Sequence, residues 1–303
     1  MPPSRSWVPA YVAIGLSWGT SFLFIKWALE SIGPVAIAFT RCLLGALTLL
    51  AVARARRQAL PRGRVVWFHL TVVALCINAV PGMLFPLAEQ HVTSILAGLL
   101  NALTPLTSLA FIGLVFRDEP VHRRQLLALS VGLIGVLVVL GVWRGLGRAP
   151  GMSVAELVGA VTLYGVSFPY TRRHLAGRRE SPEALAAGQL VAATLVLLPF
   201  LLVAPGTLRP LTAHSISALL VLGVLSSGLA FVWNLRVIAA AGSSLASTTT
   251  YITPVVAVVA GVVVLHEPLT WNEPVGGLVV LAGALLGRRG SAARRSATAS
   301  LTS

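Results

Sequence analysis

Ser94-Ile-Leu-Ala-Gly-Leu-Leu-Asn-Ala-Leu-Thr-Pro105 decides how this chain is read, because a second copy stands at Ser243-Ser-Leu-Ala-Ser-Thr-Thr-Thr-Tyr-Ile-Thr-Pro254. Ser94, Leu96, Ala97, Thr104 and Pro105 match Ser243, Leu245, Ala246, Thr253 and Pro254 at one constant offset. Each copy runs on through apolar residues to Glu-Pro, at Glu119-Pro120 and at Glu267-Pro268, and a further apolar segment follows each. A proline inside an apolar helix removes a backbone donor and crowds the carbonyl four residues back. Two such interrupted helices in matching halves of a membrane chain mark a binding site near the midplane.

Outward from that repeat, composition fixes the class. The 303 residues are 56% hydrophobic and only 11% charged, where a soluble domain carries about 25% charge. Runs of about 20 apolar residues span a bilayer. Ten such runs are expected, at Val8–Leu29, Pro34–Ala53, Trp67–Ala88, Thr93–Phe116, Gln125–Val142, Val154–Thr171, Ala184–Leu202, Ser215–Val237, Leu245–Leu265 and Trp271–Gly287. The predicted fold is an all-α integral membrane protein with ten transmembrane helices in two five-helix repeats, residues 8–142 and 154–287. Residues 288–303 form a cytoplasmic tail, small and polar from Ser291 and expected to be irregular. Connections are too short for a soluble module. Cys42 and Cys76 lie in separate spans and read as small apolar fillers. The first span reappears in the second half, so it reads as mature structure and not as a cleaved leader.

The net charge of +14 raises nucleic acid as a partner, and the placement of the charge argues against one. With the N-terminus inside, cytoplasmic segments hold eighteen of the 23 basic residues: Arg5, Arg54, Arg56, Arg57, Arg62, Arg64, Arg117, Arg123, Arg124, Arg172, Arg173, Arg178, Arg179, Arg236, Arg288, Arg289, Arg294 and Arg295. Outer loops hold Arg144, Arg148 and Arg209, and only Lys26 and Arg41 sit inside spans. This is the positive-inside asymmetry, which puts both termini in the cytoplasm. An odd number of spans per repeat then turns the second repeat upside down relative to the first.

The first span contains Trp18-Gly19-Thr20-Ser21-Phe22 and the sixth contains Tyr164-Gly165-Val166-Ser167-Phe168. This aromatic-Gly-x-Ser-Phe pattern suits either a tight helix crossing or a cavity wall with an aromatic face and a hydroxyl. Arg41 lies about seven residues into the second span, roughly 10 Å deep at 1.5 Å per residue. A guanidinium there is costly unless it faces water or a partner; the cavity is favoured over snorkelling, with a carboxylate, a phosphate or a helix carbonyl as partner. Lys26, four residues before Glu30, is expected to snorkel. Asn78, Pro81, Gly82 and Pro86 weaken the third span, as Ser226, Ser227, Gly228 and Asn234 weaken its mate. These stretches read as a packing kink or as a gate. Glu89 and His91 read as exposed loop polarity, with an outer gate as the alternative. Pro105 and Pro254 strip the carbonyls of Asn101 and Thr250 of their helical donors. Water or solute is favoured as the replacement partner over neighbouring hydroxyls.

With these residues assembled, the chain resembles the EamA family of the drug/metabolite transporter superfamily. The resemblance rests on the two aromatic-Gly-x-Ser-Phe elements, Arg41, Ala97 through Thr104-Pro105 with Glu119-Pro120, and their second-half echoes. It covers nearly the whole chain and implies ten helices, an inner-membrane location and export or import of a small metabolite. The second half has Gln189 or its neighbours where the first has Arg41, so a role for that arginine is one-sided.

The functional expectation is a secondary carrier, with export as the direction, working by alternating access on an amino acid or another amphipathic solute. The candidate substrate-binding residues are Trp18, Ser21, Arg41, Asn78, Asn101, Tyr164, Ser167, Thr250 and Tyr251. The candidate helix-break or gating residues are Pro81, Pro86, Pro105, Pro254 and Glu89. No metal or cofactor is expected; the partners are a small-molecule solute and membrane lipid. Gly132, Gly135, Gly276, Gly277, Gly283 and Gly287 suit close packing of the fifth and tenth spans at the periphery, with a homodimer contact there as an option. All nine acidic residues lie at span ends or in loops. That favours facilitated transport, or coupling through a mouth residue such as Glu89. Glu119-Pro120 and Glu267-Pro268 are expected to start the helices that follow them. His266-Glu267-Pro268-Leu269-Thr270 lacks the second histidine of a zinc motif. Ser167 and His174 are about two turns apart and form no nucleophile pair, so an enzyme is disfavoured. A scaffold or sensor stays open.

Overall fold

The structure, a computed structural model, describes residues 7–116, 123–144, 150–204, 206 and 208–299. Arg5, Arg117, Asp118, Glu119, Pro120 and Arg148 lie outside the described residues. Fourteen α-helical segments are present and no strand is found among the described residues. They are α1 Val8–Leu29, α2 Pro34–Ala55, α3 Arg64–Ala74, α4 Val80–Glu89, α5 Ser94–Asn101, α6 Thr104–Phe111, α7 Arg123–Leu140, α8 Gly151–His174, α9 Pro182–Val203, α10 Ala213–Leu220, α11 Ala230–Ala241, α12 Ser243–Ser247, α13 Ile252–Val263 and α14 Asn272–Ala299. Several join into longer rods. Eight rods among the described residues are long and apolar enough to cross a membrane, and α7 adds a shorter apolar stretch at Ser130–Leu140. α14 runs on to Ala299, where an irregular tail was expected. Ala292, Ala293, Ala297 and Ala299 are strong helix formers.

Two rods carry π-helical turns at matching places. Leu75–Ala79 joins α3 to α4, and Val221–Leu229 joins α10 to α11. In the first, the Val80 amide reaches back to Leu75 O, a five-residue step that lets the rod pass Pro81 without a break. Pro86 sits inside α4. The α5–α6 and α12–α13 rods are interrupted where the sequence placed the interruption. α5 ends at Asn101 and α6 begins at Thr104 with Pro105 in its first turn; a 3-10 turn at Thr248–Tyr251 separates α12 from α13, which carries Pro254.

The contacts exchange between halves. α1 packs on α13, α10 and α11, and its mate α8 packs on the mates of those helices, α6 and α4. α2 packs on α9, α5 on α13 and α7 on α14. Between apolar helices in lipid the hydrophobic effect contributes little, so close backbone approach and polar links hold the bundle. A Cβ on Gly19 would fall 2.5 Å from Val256 Cβ of α13, and one on Gly165 would collide with Thr107 of α6. Val256 and Thr107 are themselves mates at the offset of the opening repeat. The glycine of aromatic-Gly-x-Ser-Phe is thus the packing residue of that element. α7 and α14 meet through Gly132, Gly135, Gly276 and Gly283; a Cβ on Gly135 would lie 2.9 Å from Gly276 O, and one on Gly283 2.7 Å from Gly132 N. These glycines are spent inside the chain. The outward faces of the pair expose Leu133, Ile134, Leu137 and Leu278.

Two charged side chains bind the fold and correct the sequence reading. Lys26 does not snorkel: its Nζ donates to Glu89 O and Val92 O, both at 2.6 Å, and closes the C-terminal end of α4. Glu267 does not start a helix. Its carboxylate accepts from Ser94 N at 2.9 Å, Ser94 Oγ at 2.8 Å and Ile95 N at 3.2 Å, capping α5 in the other repeat. α14 is started instead by Thr270 and Glu273, whose carboxylate accepts from Thr270 N at 2.7 Å. The short α4–α5 connection is therefore held at both ends by the other elements. Glu89, expected as loop polarity, is buried.

Candidate functional site

One cavity lies where α1, α2, the α3–α4 and α10–α11 rods, α8 and the two interrupted rods meet. Trp18, Ser21, Phe22, Ile25, Arg41, Ile77, Phe85, Asn101, Tyr164, Phe168, Phe231 and Thr250 line it. Its space free of protein atoms, opening included, is about 530 Å³. The lining follows the internal repeat: Trp18 with Tyr164, Phe22 with Phe168, Phe85 with Phe231, and Asn101 with Thr250. The ring contacts follow it too. Trp18 meets Phe231 at 5.8 Å between centroids, and the mates Tyr164 and Phe85 stack at 5.7 Å. Phe22 stands edge-on to Phe85 at 5.4 Å. Such rings present flat apolar faces on most sides of the space.

Most polar groups of the wall are already spent. Trp18 Nε1 donates to Ser226 O at 3.1 Å, a carbonyl of the second π-helical stretch. Ser21 Oγ donates to Ser17 O, and Thr250 Oγ to Ser247 O. At the interrupted rod Thr104 Oγ donates to Asn101 O at 2.8 Å. The carbonyl stripped by Pro105 is thus satisfied by a neighbouring hydroxyl, against the expectation of water or solute. Thr248 and Thr249 hydroxyls likewise donate to Leu245 O and Ala246 O before Pro254.

What remains unspent is compact. Arg41 is half-buried, and its Nε donates to Ser227 Oγ at 3.0 Å. Its two terminal nitrogens have no hydrogen-bond partner among the described residues, nor do the Asn101 amide nitrogen and the Tyr164 hydroxyl. Among the described residues, Arg41 is the only charged one in the wall. A fixed guanidinium fork beside aromatic faces is suited to hold a carboxylate or phosphate.

The structure brings together Trp18, Ser21, Arg41, Asn101, Tyr164 and Thr250. It places three other candidates elsewhere. Asn78 is buried and its Oδ1 accepts from Gln189 Nε2 at 2.5 Å. Ser167 Oγ donates to Tyr164 O behind the wall. Tyr251 packs against Leu106 and Ala128. The Asn78–Gln189 link answers the one-sidedness of Arg41: Gln189 takes the position of Arg41 in α9, and each reaches the weakened rod of the opposite repeat. Phe22, Ile25, Ile77, Phe85, Phe168 and Phe231 line the cavity without having been singled out. Phe22 and Phe168 stood inside the repeated motif, which was signal enough; the others carried none among so many apolar residues. At one end of the bundle Glu183 accepts from Arg56 Nη1 at 2.8 Å and also pairs with Arg236, joining α9 to α2 and α11.

The EamA-like transporter family model matches residues 5–141 and 151–287, which include every residue of the cavity wall. An uncharacterized transporter of Archaeoglobus fulgidus is 28% identical over 279 residues, covering 89% of this chain and 93% of its own. The uncharacterized inner membrane transporter YedA of Escherichia coli K12 is 28% identical over 284 residues, covering 91% and 89%. A probable terminal-alkyne amino-acid exporter of Streptantibioticus cattleyicolor is 29% identical over 294 residues, covering 94% of each chain. A solved crystal structure superposes with a TM-score of 0.70 at 20% identity, covering 94% of this chain and 99% of that one; it speaks to the fold alone. A multi-pass membrane chain with two matched repeats, this protein belongs to the EamA-like transporter family.

Proposed function

We propose that the protein is a secondary carrier that exports a small amphipathic solute, foremost an amino acid, across the inner membrane by alternating access. The observation that carries this reading is the shared cavity, walled by matched residues of both repeats with one unspent guanidinium. Arg41 would take the solute carboxylate, and the faces of Trp18 and Tyr164 would take an ammonium or apolar side chain. The name of the Streptantibioticus relative supports solute class and direction. We take α7 and α14 as a paired fifth and tenth span, the repeats as inverted, and both termini as cytoplasmic. The exchanged contacts and the arginine asymmetry support that arrangement. Rocking one half against the other about the aromatic wall exposes the cavity to each side in turn. The family and the names of the relatives are those of transporters, which supports a carrier over an enzyme.

The test is counterflow. Proteoliposomes loaded with unlabelled amino acids should take up a ¹⁴C-labelled amino-acid mixture transiently above equilibrium, and protein-free liposomes should not. Absence of counterflow with correctly folded protein would leave a scaffold or sensor as the better account. Tags on both termini should be reached from the same face of oriented vesicles; opposite faces would reject the inversion.

A further inference from the structure

Glu89 ends α4 and is 1% exposed, yet neither carboxyl oxygen has a hydrogen-bond partner among the described residues. The charged groups that face it are Lys26 of α1, Glu267 of the α13–α14 connection and Arg41 of α2. All three are engaged elsewhere: Lys26 on the carbonyls of Glu89 and Val92, Glu267 on the start of α5, Arg41 on Ser227. On α8, Glu156 faces His91 instead. An ionised carboxylate out of water and without donors costs several kcal/mol, whereas a protonated one forfeits only an unmade hydrogen bond. The group also sits next to the cavity in register. Phe85 is four residues before Glu89 and Phe22 four before Lys26, so both charged residues lie one helical turn beyond lining rings on the same helix faces.

We propose that Glu89 is a proton-binding site that couples the transport cycle to a proton gradient. With the connection closed over it, as here, the residue is a neutral carboxylic acid. When the cavity opens to the cytoplasm, water entering through it takes the carboxyl proton inward, and the Lys26 ammonium moves from the two carbonyls to the new carboxylate. When the outer end opens, reprotonation reverses the swap: a hydronium proton from outside passes to the carboxylate, water is left, and Lys26 returns to cap α4. Because the same two helices carry Phe22 and Phe85, the swap shifts the cavity wall, and solute export exchanges with proton entry. This inference rests on the carrier reading for its coupling, but not for the proton site itself.

Infrared titration of the purified full-length protein tests the site directly. Wild type should show the carbonyl stretch of a protonated carboxyl at pH 7. Glu89→Gln should abolish that band, Glu89→Asp should shift it, and Glu30→Gln, at an exposed carboxyl, should leave it. A wild-type spectrum without the band at pH 7, or a band unchanged in Glu89→Gln, would overturn the proposal. In proteoliposomes holding the ¹⁴C-labelled amino acids, a gradient of one pH unit should change the wild-type accumulation ratio about tenfold for one proton exchanged. In Glu89→Gln the ratio should stay near unity, and an equal response in that variant would also overturn the coupling. Failure of the carrier reading shows separately, as loss of wild-type counterflow with the infrared band intact.

Discussion

Replacing Glu267 by alanine should loosen the two repeats from each other. The carboxylate accepts three hydrogen bonds from Ser94 and Ile95, two of them from backbone amides at the first turn of α5. Hydrogen bonds to a charged acceptor contribute about 1.5–3 kcal/mol each, a helix cap about 1 kcal/mol. The three bonds share one half-buried group and do not add. The net cost of Glu267→Ala is set at about 2–4 kcal/mol, and of Glu267→Gln at about half that, since one acceptor oxygen survives. The assay is unfolding by sodium dodecyl sulfate in mixed micelles, followed by tryptophan fluorescence. A double-mutant cycle with Ser94→Ala should give a coupling of about 0.5–1.5 kcal/mol. Additive effects, or a Glu267→Ala cost below about 0.5 kcal/mol, would refute the tether.

Three further outcomes follow from the packing and the wall. Gly19→Ala sets a Cβ against Val256 and should cost about 1–3 kcal/mol, with partial rescue by Val256→Ala in the same unfolding assay. Lys26→Met leaves Glu89 O and Val92 O without their donor and should cost about 2–4 kcal/mol, visible as a lowered melting temperature in detergent. Arg41→Ala should lower counterflow at least about tenfold while the protein still elutes as a folded species, and Arg41→Lys should restore only part, because lysine keeps the charge but not the fork.

The apolar runs, the repeat and the prolines made the helical class readable, since each is a local signal with a local cause. Pro105 and Pro254 could be placed at the interruptions for the same reason. What answered them could not be seen as readily: the Thr104 hydroxyl competes with water for Asn101 O at no distance cost, and it wins. Lys26 and Glu267 misled because their partners lie 63 to 173 positions away. A lone charge near a span end looks alike whether it snorkels or caps a remote helix. Asn78 was drawn to the site by its polarity, but Gln189 satisfies it first. Trp18 and Tyr164 were found because their motif repeats, and Phe85 and Phe231 were missed because phenylalanine in an apolar helix outside a motif carries no mark.

Whether the shared cavity opens to each face in turn is measured most directly by labelling from each face. In a background with Cys42 and Cys76 replaced, single cysteines at Asn101 and Thr250 would be exposed to a membrane-impermeant maleimide in right-side-out and inside-out vesicles. Reaction of both positions from both faces is the predicted result. Reaction from one face alone, under every condition of pH and solute, would contradict it.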